Sequence, residues 1–430
     1  MGGTASDASS HVDEAFFVRP QAWVRTMNVD EWQLPEAVRA AGASYQAALP
    51  ELVERTIQIQ QIPAPSGQEQ RRADWVETRM GELGLADVSQ DPLFNVYGRA
   101  PGEGDGPALL ISAHLDTVFP RETDLSVRRD SRNGLIFGPG IGDNSVAVAA
   151  LLTLAETLKR LPAPPVDIWL VANSNEEGLG DLRGMRAVVD RLGSQVGAAI
   201  VLEGMGLGRI VHRGLGVRRY RIRATAPGGH SWGDFGAGSA IHALVQLAAD
   251  ISRLQMPDQV RTTFNIGRIQ GGRSVNTIAQ EASLELDLRS EAPSALNWLI
   301  GQVQLLVRRH QAAHNQERDN VRFHVEEIGN RPAGAISEEH PLVQALMAIL
   351  EELGVTEEPE LRISSTDANV PLSRGIPAVC IGLTEGGDAH RLSEWIDPRP
   401  LPQGMQQLLY LTWWAAQWLG GALGDQPRSR

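Results

Sequence analysis

A chain of 430 residues is too long for one simple hydrophobic core, which argues for two domains. Its 42% hydrophobic and 21% charged content is that of a folded globular protein and excludes a largely disordered one. A formal net charge of −13 argues against nucleic acid as a generic partner.

Residues 1–45 are polar and irregular, with aromatic anchors at Phe16, Phe17, Trp23 and Trp32, and are expected to form an arm over the body. Residues 1–20 carry no basic start followed by an apolar core, so no signal peptide is expected and the expected compartment is the cytoplasm. Two helical patterns follow between residues 45 and 85, broken at Pro63-Ala64-Pro65-Ser66-Gly67.

An α/β alternation comes next. Short apolar runs at 108–113, 166–172, 198–202 and 378–383 read as buried strands. Residues 144–161 have helical periodicity, with Asp143 or Asn144 at the cap position and Pro162 after the end. Such strands, separated by helices, predict a mostly parallel sheet covered by helices on both faces. Ligands bind these sheets at the carboxyl ends of the strands. His114 follows the first strand, Glu176 and Glu177 lie just past the second, and Glu203 follows the third.

Residues 217–330 follow another rhythm, β-α-β-β-α-β, which is the ferredoxin-like pattern. The α/β pattern resumes after Asn330, so this segment is expected to be an inserted second domain of α+β type. The surrounding domain is then 1–216 plus 331–430. The apolar run 408–423 is shorter than the ~20 residues a membrane span needs, and Gln417 interrupts it. It reads as a C-terminal helix docked by Trp413, Trp414 and Trp418. Cys380 is the only cysteine, inside the run Pro377-Ala378-Val379-Cys380-Ile381-Gly382 with no basic neighbour, and reads as a buried structural thiol.

Five residues of metal-ligand type punctuate this pattern. In Ser112-Ala113-His114-Leu115-Asp116-Thr117-Val118, a neutral imidazole is a good zinc ligand. A carboxylate two residues on can hold its other ring nitrogen. A loop histidine beside an aspartate is the ordinary alternative. The turn Gly138-Pro139-Gly140-Ile141-Gly142-Asp143-Asn144-Ser145 reads either as a phosphate nest or as a close backbone approach that lets Asp143 reach a metal. The phosphate reading lacks the G-x-G-x-x-G spacing. Glu176 and Glu177 come straight after a buried strand, an unusual place for a solvated surface pair. Neighbouring residues point in different directions, so one can bind metal while the other faces a water. Glu203 repeats the placement, and His390 follows the glycine-rich turn Gly386-Gly387-Asp388-Ala389.

As a set and in this order, these motifs resemble the co-catalytic dizinc exopeptidases and deacylases. That family includes glutamate carboxypeptidase, tripeptide aminopeptidase, carnosine-type dipeptidases, and acetylornithine and succinyl-diaminopimelate deacylases. The resemblance runs from about residue 50 to the C-terminus, and by it residues 217–330 would be the lid and the surrounding domain the catalytic one. It implies two divalent metal ions, zinc first and cobalt or manganese otherwise. Asp143 would bridge them, His114 and Glu203 would complete one site, and Glu177 and His390 the other. Asp116 would orient His114, and Glu176 would act as general base and then acid. His230, in Pro227-Gly228-Gly229-His230-Ser231, matches the lid histidine that stabilises the oxyanion in a partner's site in dimeric members. Asn276, in Gly271-Gly272-Arg273-Ser274-Val275-Asn276, and Arg289, in Leu286-Asp287-Leu288-Arg289, match residues that bind the substrate's carboxylate.

The implied activity is metal-dependent exopeptidase action on di- or tripeptides with a free carboxylate. A deacylase of N-acyl amino acids is the alternative, and a non-catalytic metal- or peptide-binding protein is the second. A homodimer through the lid is expected, with neither nucleic acid nor membrane as partner. Asn144 and the N-terminal arm depart from the commonest family pattern.

Overall fold

The computed structural model describes residues 34–314, 320–356 and 358–421. Four strands form the middle of a 12-stranded sheet, in the order Ile168–Asn173, Ala108–His114, Val196–Met205 and Ala378–Gly387. These four are mutually parallel. Ala108–His114 and Ile168–Asn173 are buried at every position, as near-continuous apolar runs covered on both faces should be. The expectation of a mostly parallel sheet needs correction, because the sheet is mixed. Val96–Ala100 joins one side antiparallel and Arg209–Gly214 joins the other antiparallel. Short antiparallel pairs extend it further.

Helices cover both faces. Val146–Leu158 packs against Ala108–His114 together with Glu36–Gln60 and Leu401–Leu419, and nearly every residue of it is buried. Burying each of its leucines contributes about 1.5–3 kcal/mol. By length and composition the stretch Ile141–Leu158 could cross a membrane, but here 78% of it is buried inside the fold. The opposite face carries Arg183–Leu192 and Asn369–Ser373, whose Met185, Val188 and Val370 join Leu110, Val201 and Cys380 in one cluster. Cys380 is buried, as expected.

The C-terminal helix docks as its tryptophans suggest: Trp413 and Trp414 are buried, and Trp418 stacks on Trp414 at 5.8 Å. Gly404 makes the approach close, since a Cβ there would lie 1.9 Å from the Leu383 carbonyl oxygen.

Several boundaries differ from the sequence reading, among them that of the C-terminal helix, which spans Leu401–Leu419. The arm expected over 1–45 is already helical from Glu36, where Pro35 opens the helix and Val38 and Tyr45 are buried. Phe16, Phe17, Trp23 and Trp32 lie outside the described residues. The helix expected from 144 begins at Val146, and neither Asp143 nor Asn144 caps it. Both have non-helical dihedrals, their peptide bond is cis, and the Asn144 amide donates to the Leu202 carbonyl instead.

The inserted segment forms its own four-stranded antiparallel sheet, ordered Thr262–Gly271, Glu281–Ser290, Gly216–Thr225, Arg322–Arg331. Helices Ala240–Ile251 and Pro293–Ala313 pack on one face through Leu244, Leu247, Leu299 and Val303, against Ile222, Leu284 and Leu286. The other face is polar, with Arg219 paired to Asp287 and Arg221 to Glu285 and Glu326.

Candidate metal centre

The carboxyl ends of the four parallel strands bring the five candidate ligands together. His114 is the last residue of its strand, and Glu203 lies within Val196–Met205 instead of after it. Glu176 and Glu177 sit on the turn after Ile168–Asn173, and His390 on the loop after Ala378–Gly387. Asp143 divides its two oxygens between the histidines: Oδ1 is 3.1 Å from His114 Nε2, and Oδ2 is 3.0 Å from His390 Nε2. His114 Nε2 also lies 3.8 Å from Glu203 Oε2, and His390 Nε2 lies 3.0 Å from Glu177 Oε1. Ligand atoms of His114, Asp143 and Glu203 fall within 4.8 Å of one another, and so do those of Asp143, Glu177 and His390. The two groups share Asp143.

The electrostatics fit cations. Burial lowers the affinity of His114 for a proton, but Asp116, Asp143 and Glu203 hold its pKa well above the ordinary value. Hydrogen bonds to Asp143 and Glu177 push His390 up to about 10. Burial pushes the Asp143 carboxyl up, yet the two histidines outweigh it and hold it below the usual carboxylate range. Imidazoles with raised affinity for positive charge, set among carboxylates, are the donor set that divalent ions such as zinc satisfy.

Supporting residues fix this geometry. Asp116 is fully buried and meets His114 mainly through its main chain. The His114 Nδ1 hydrogen bond, at 3.0 Å, is to the Asp116 main-chain oxygen, while carboxylate Oδ1 lies 3.6 Å from that nitrogen. The Asp116 carboxylate mainly holds the glutamate turn, accepting the Glu176 and Glu177 N–H groups at 2.9 Å each and the Ser66 hydroxyl at 2.6 Å.

Glu394 does the same for the glycine-rich turn. Its carboxylate accepts the N–H groups of Gly140, Gly142 and Asp143 at 3.0, 2.8 and 2.8 Å. Burial raises its pKa to about 7 against these hydrogen bonds. Glu69 accepts the N–H of Asn175 from behind. Glu176 faces the cavity and meets Arg331, whose guanidinium lies 2.9 Å from Oε1 and also binds the Glu176 carbonyl oxygen. Burial holds the Glu176 carboxyl well above its ordinary range, with Arg331 pulling the other way.

Sequence reasoning missed Arg331, Glu394 and Glu69. Glu394 stands four residues after His390, but no local signal ties it to residues about 250 positions earlier. Arg331 ends the last lid strand in Asn330-Arg331-Pro332, where the chain returns to the body.

The three lid residues fare differently. Arg289 lines the same cavity of about 760 Å³ as the ligands, although its guanidinium is held by Asp287 at 2.6 Å. His230 and Asn276 do not line it. They are exposed where the short strand Gly229–His230 pairs antiparallel with Thr277–Ile278; there Ser231 N–H donates to the Asn276 carbonyl and the His230 ring accepts from Trp232 and Gly233. One chain therefore does not bring them to its own metal centre.

Known proteins resemble this chain in sequence and in fold. A succinyl-diaminopimelate desuccinylase of Corynebacterium glutamicum is 24% identical over 347 residues, covering 79% of this chain and 90% of that protein. A probable carboxypeptidase of Aspergillus terreus is 27% identical over 255 residues, and there the match covers 58% of the relative and 54% of this chain. Among solved structures, a tripeptidase from Staphylococcus aureus superposes with a TM-score of 0.72 at 20% identity, covering 86% of this chain and 99% of that one. Residues 110–413 match peptidase family M20/M25/M40, and the chain belongs to that family.

Proposed function

We propose that this protein is a metal-dependent exopeptidase that hydrolyses amide bonds of di- or tripeptides. One observation carries the reading: Asp143 turns one oxygen to each of two histidine-carboxylate groups, and the carboxylate of Glu176, paired with Arg331 through Oε1, faces the same cavity. Asp143, His114 and Glu203 would hold one divalent ion, and Asp143, Glu177 and His390 the other, zinc being the first candidate and cobalt or manganese the others. Two ions so held supply Lewis acidity to the scissile carbonyl and to the attacking water.

The remaining steps belong to side chains. Glu176 accepts the proton of the attacking water and returns it to the leaving amine nitrogen. Arg331 occupies Oε1, which leaves Oε2 as the oxygen that moves the proton. Asp116 fixes the turn that carries Glu176. Arg289, beside Arg219, offers guanidinium donors for a free substrate carboxylate.

The tripeptidase and the carboxypeptidase among the similar proteins support peptides as substrates. A deacylase of N-acyl amino acids is the second reading, supported by the desuccinylase, of which the chain covers 90%. Hydrolysis of matched dipeptides, tripeptides and N-acetyl amino acids, after loading with zinc, cobalt or manganese, separates the two. Equal failure on all three classes with every metal would contradict both.

The proposal includes a lid over 217–330 with a ferredoxin-like arrangement, supported by the strand order and the two helices on one face. It also includes a homodimer through that lid. Trp232 and Phe235, each 89% exposed, sit on the loop that follows His230, a surface suited to meeting a second copy. In that arrangement His230 and Asn276 would serve the partner's site. Light scattering of the purified protein tests the assembly.

A further inference from the structure

The cavity that holds the metal ligands continues along the sheet to two further arginines, Arg209 and Arg362. Strand registers define the path. Glu203 lies opposite Gly382 on the next strand. Beyond it, Cys380 lies opposite Val211. Continuing that antiparallel register sets Gly382 opposite Arg209, and Arg209 in turn lies opposite Glu360. Residues opposite one another share a face of a sheet, so Glu203, Arg209 and Glu360 all project to the cavity side. Val211 and Arg362, also in register, do the same. Two strand spacings separate Glu203 from Arg209, roughly 10 Å.

The chemistry along this path changes from ligand to apolar to cationic. Met205, Val211 and Cys380 line the stretch beyond Glu203. At its end Arg209 and Arg362 both bind Glu360, Arg209 at 3.3 Å. Their side chains are 57% and 52% exposed. Two guanidiniums present ten N–H donors to one carboxylate, so most donors remain for another anion. Across the cavity the lid holds a second doublet of the same kind, Arg219 and Arg289 on Asp287. Each doublet keeps one net positive charge.

We propose that Arg209 and Arg362 form a second anion subsite, and that the preferred substrate carries an acidic group joined to the scissile amide by an apolar segment. The lid doublet would take one carboxylate and this doublet the other. This rests on the hydrolase reading above and adds the substrate class to it. Guanidinium suits the role because its planar fork binds a carboxylate in two places.

The test compares substrates that differ in one group: peptides or N-acyl amino acids with the distal carboxylate, and the same compounds with a carboxamide there. The metal-loaded wild-type protein should prefer the acid by about tenfold or more in kcat/KM. In the double variant Arg209→Gln, Arg362→Gln the ratio should fall to near one, and in Glu360→Gln it should rise. Inhibition of the wild type by a dicarboxylate against its monoamide reads the same subsite without a mutation, and the dicarboxylate should be the tighter. A wild-type ratio of one or below, an unchanged ratio in the double variant, or equal inhibition by both compounds would overturn the subsite. Failure to hydrolyse either member of every pair is a different result: it removes the hydrolase reading and the subsite with it.

Discussion

Arg331 and Glu176 form a buried ion pair across the junction of lid and body. Each side chain is only 7% exposed, and their charged atoms are 2.9 Å apart. The arginine ends the lid strand Arg322–Arg331, and the glutamate sits on the turn beyond the central sheet. In the proposed mechanism Glu176 accepts a proton and needs a fixed direction, which the guanidinium provides. Replacing Arg331 with Gln should lower kcat by about tenfold to a hundredfold, the effect of misplacing a reacting group by an ångström or so. KM should change far less. Steady-state kinetics decide: a large rise in KM with kcat intact would instead make Arg331 a substrate-binding residue.

Glu394 should matter for metal affinity more than for chemistry. It touches no substrate position but fixes the turn that aims Asp143. Glu394→Gln should weaken metal binding by about 10- to 100-fold, the usual effect of losing a ligand's supporting hydrogen bonds. Activity should recover with excess metal. Titration against a competing chelator measures the affinity, and an unchanged value would show that the turn holds its shape without this carboxylate.

His340 should make the fold sensitive to acid. It opens the helix Pro341–Glu352, where its ring accepts the Leu342 N–H at 3.2 Å. Burial lowers its pKa to about 4. The unfolded chain therefore binds more protons than the folded one between pH 6.5 and 4. This stability is present above pH 6.5 and is lost as pH falls through that window. The loss approaches about 2 kcal/mol near pH 4.5, allowing for partial exposure of the ring. His340→Asn keeps a capping side chain and does not titrate. Urea unfolding at pH 7 and 4.5 should show a smaller drop for the variant; equal drops would remove His340 from the account.

Gly404→Ala should destabilise the fold by about 1–3 kcal/mol, because a Cβ would press on the Leu383 carbonyl in a packed interface. Alanine is otherwise the better helix residue, so helix propensity alone predicts the opposite sign. Denaturant midpoints of the two proteins distinguish the effects.

Most of the candidate metal ligands were legible because they stand at or near the end of an apolar run, and the sheet that such runs build collects its strand ends at one edge. His114, Glu177 and Glu203 needed only that rule. Asp143 was legible as a ligand but hidden as a backbone feature, since a carboxylate before a helix ordinarily caps it and this one turns away. Glu394 and Arg331 were not legible, because their partners lie some 250 and 155 residues away and only the fold joins them. The lid's alternation of apolar and charged residues disclosed its strands and its buried face. It did not disclose that Asp287 holds Arg219 and Arg289 together, which depends on cross-strand register. His230 and Asn276 were legible only through resemblance, and their exposed position explains why nothing local marks them.

The rate of peptide hydrolysis by metal-loaded Glu176→Gln tests the central claim most directly. Glutamine preserves the shape and the contact with Arg331 but cannot accept the proton. The account predicts a kcat about 10²- to 10⁴-fold below wild type, with both metal ions still bound. A variant that binds its metal and turns over at the wild-type rate would contradict it.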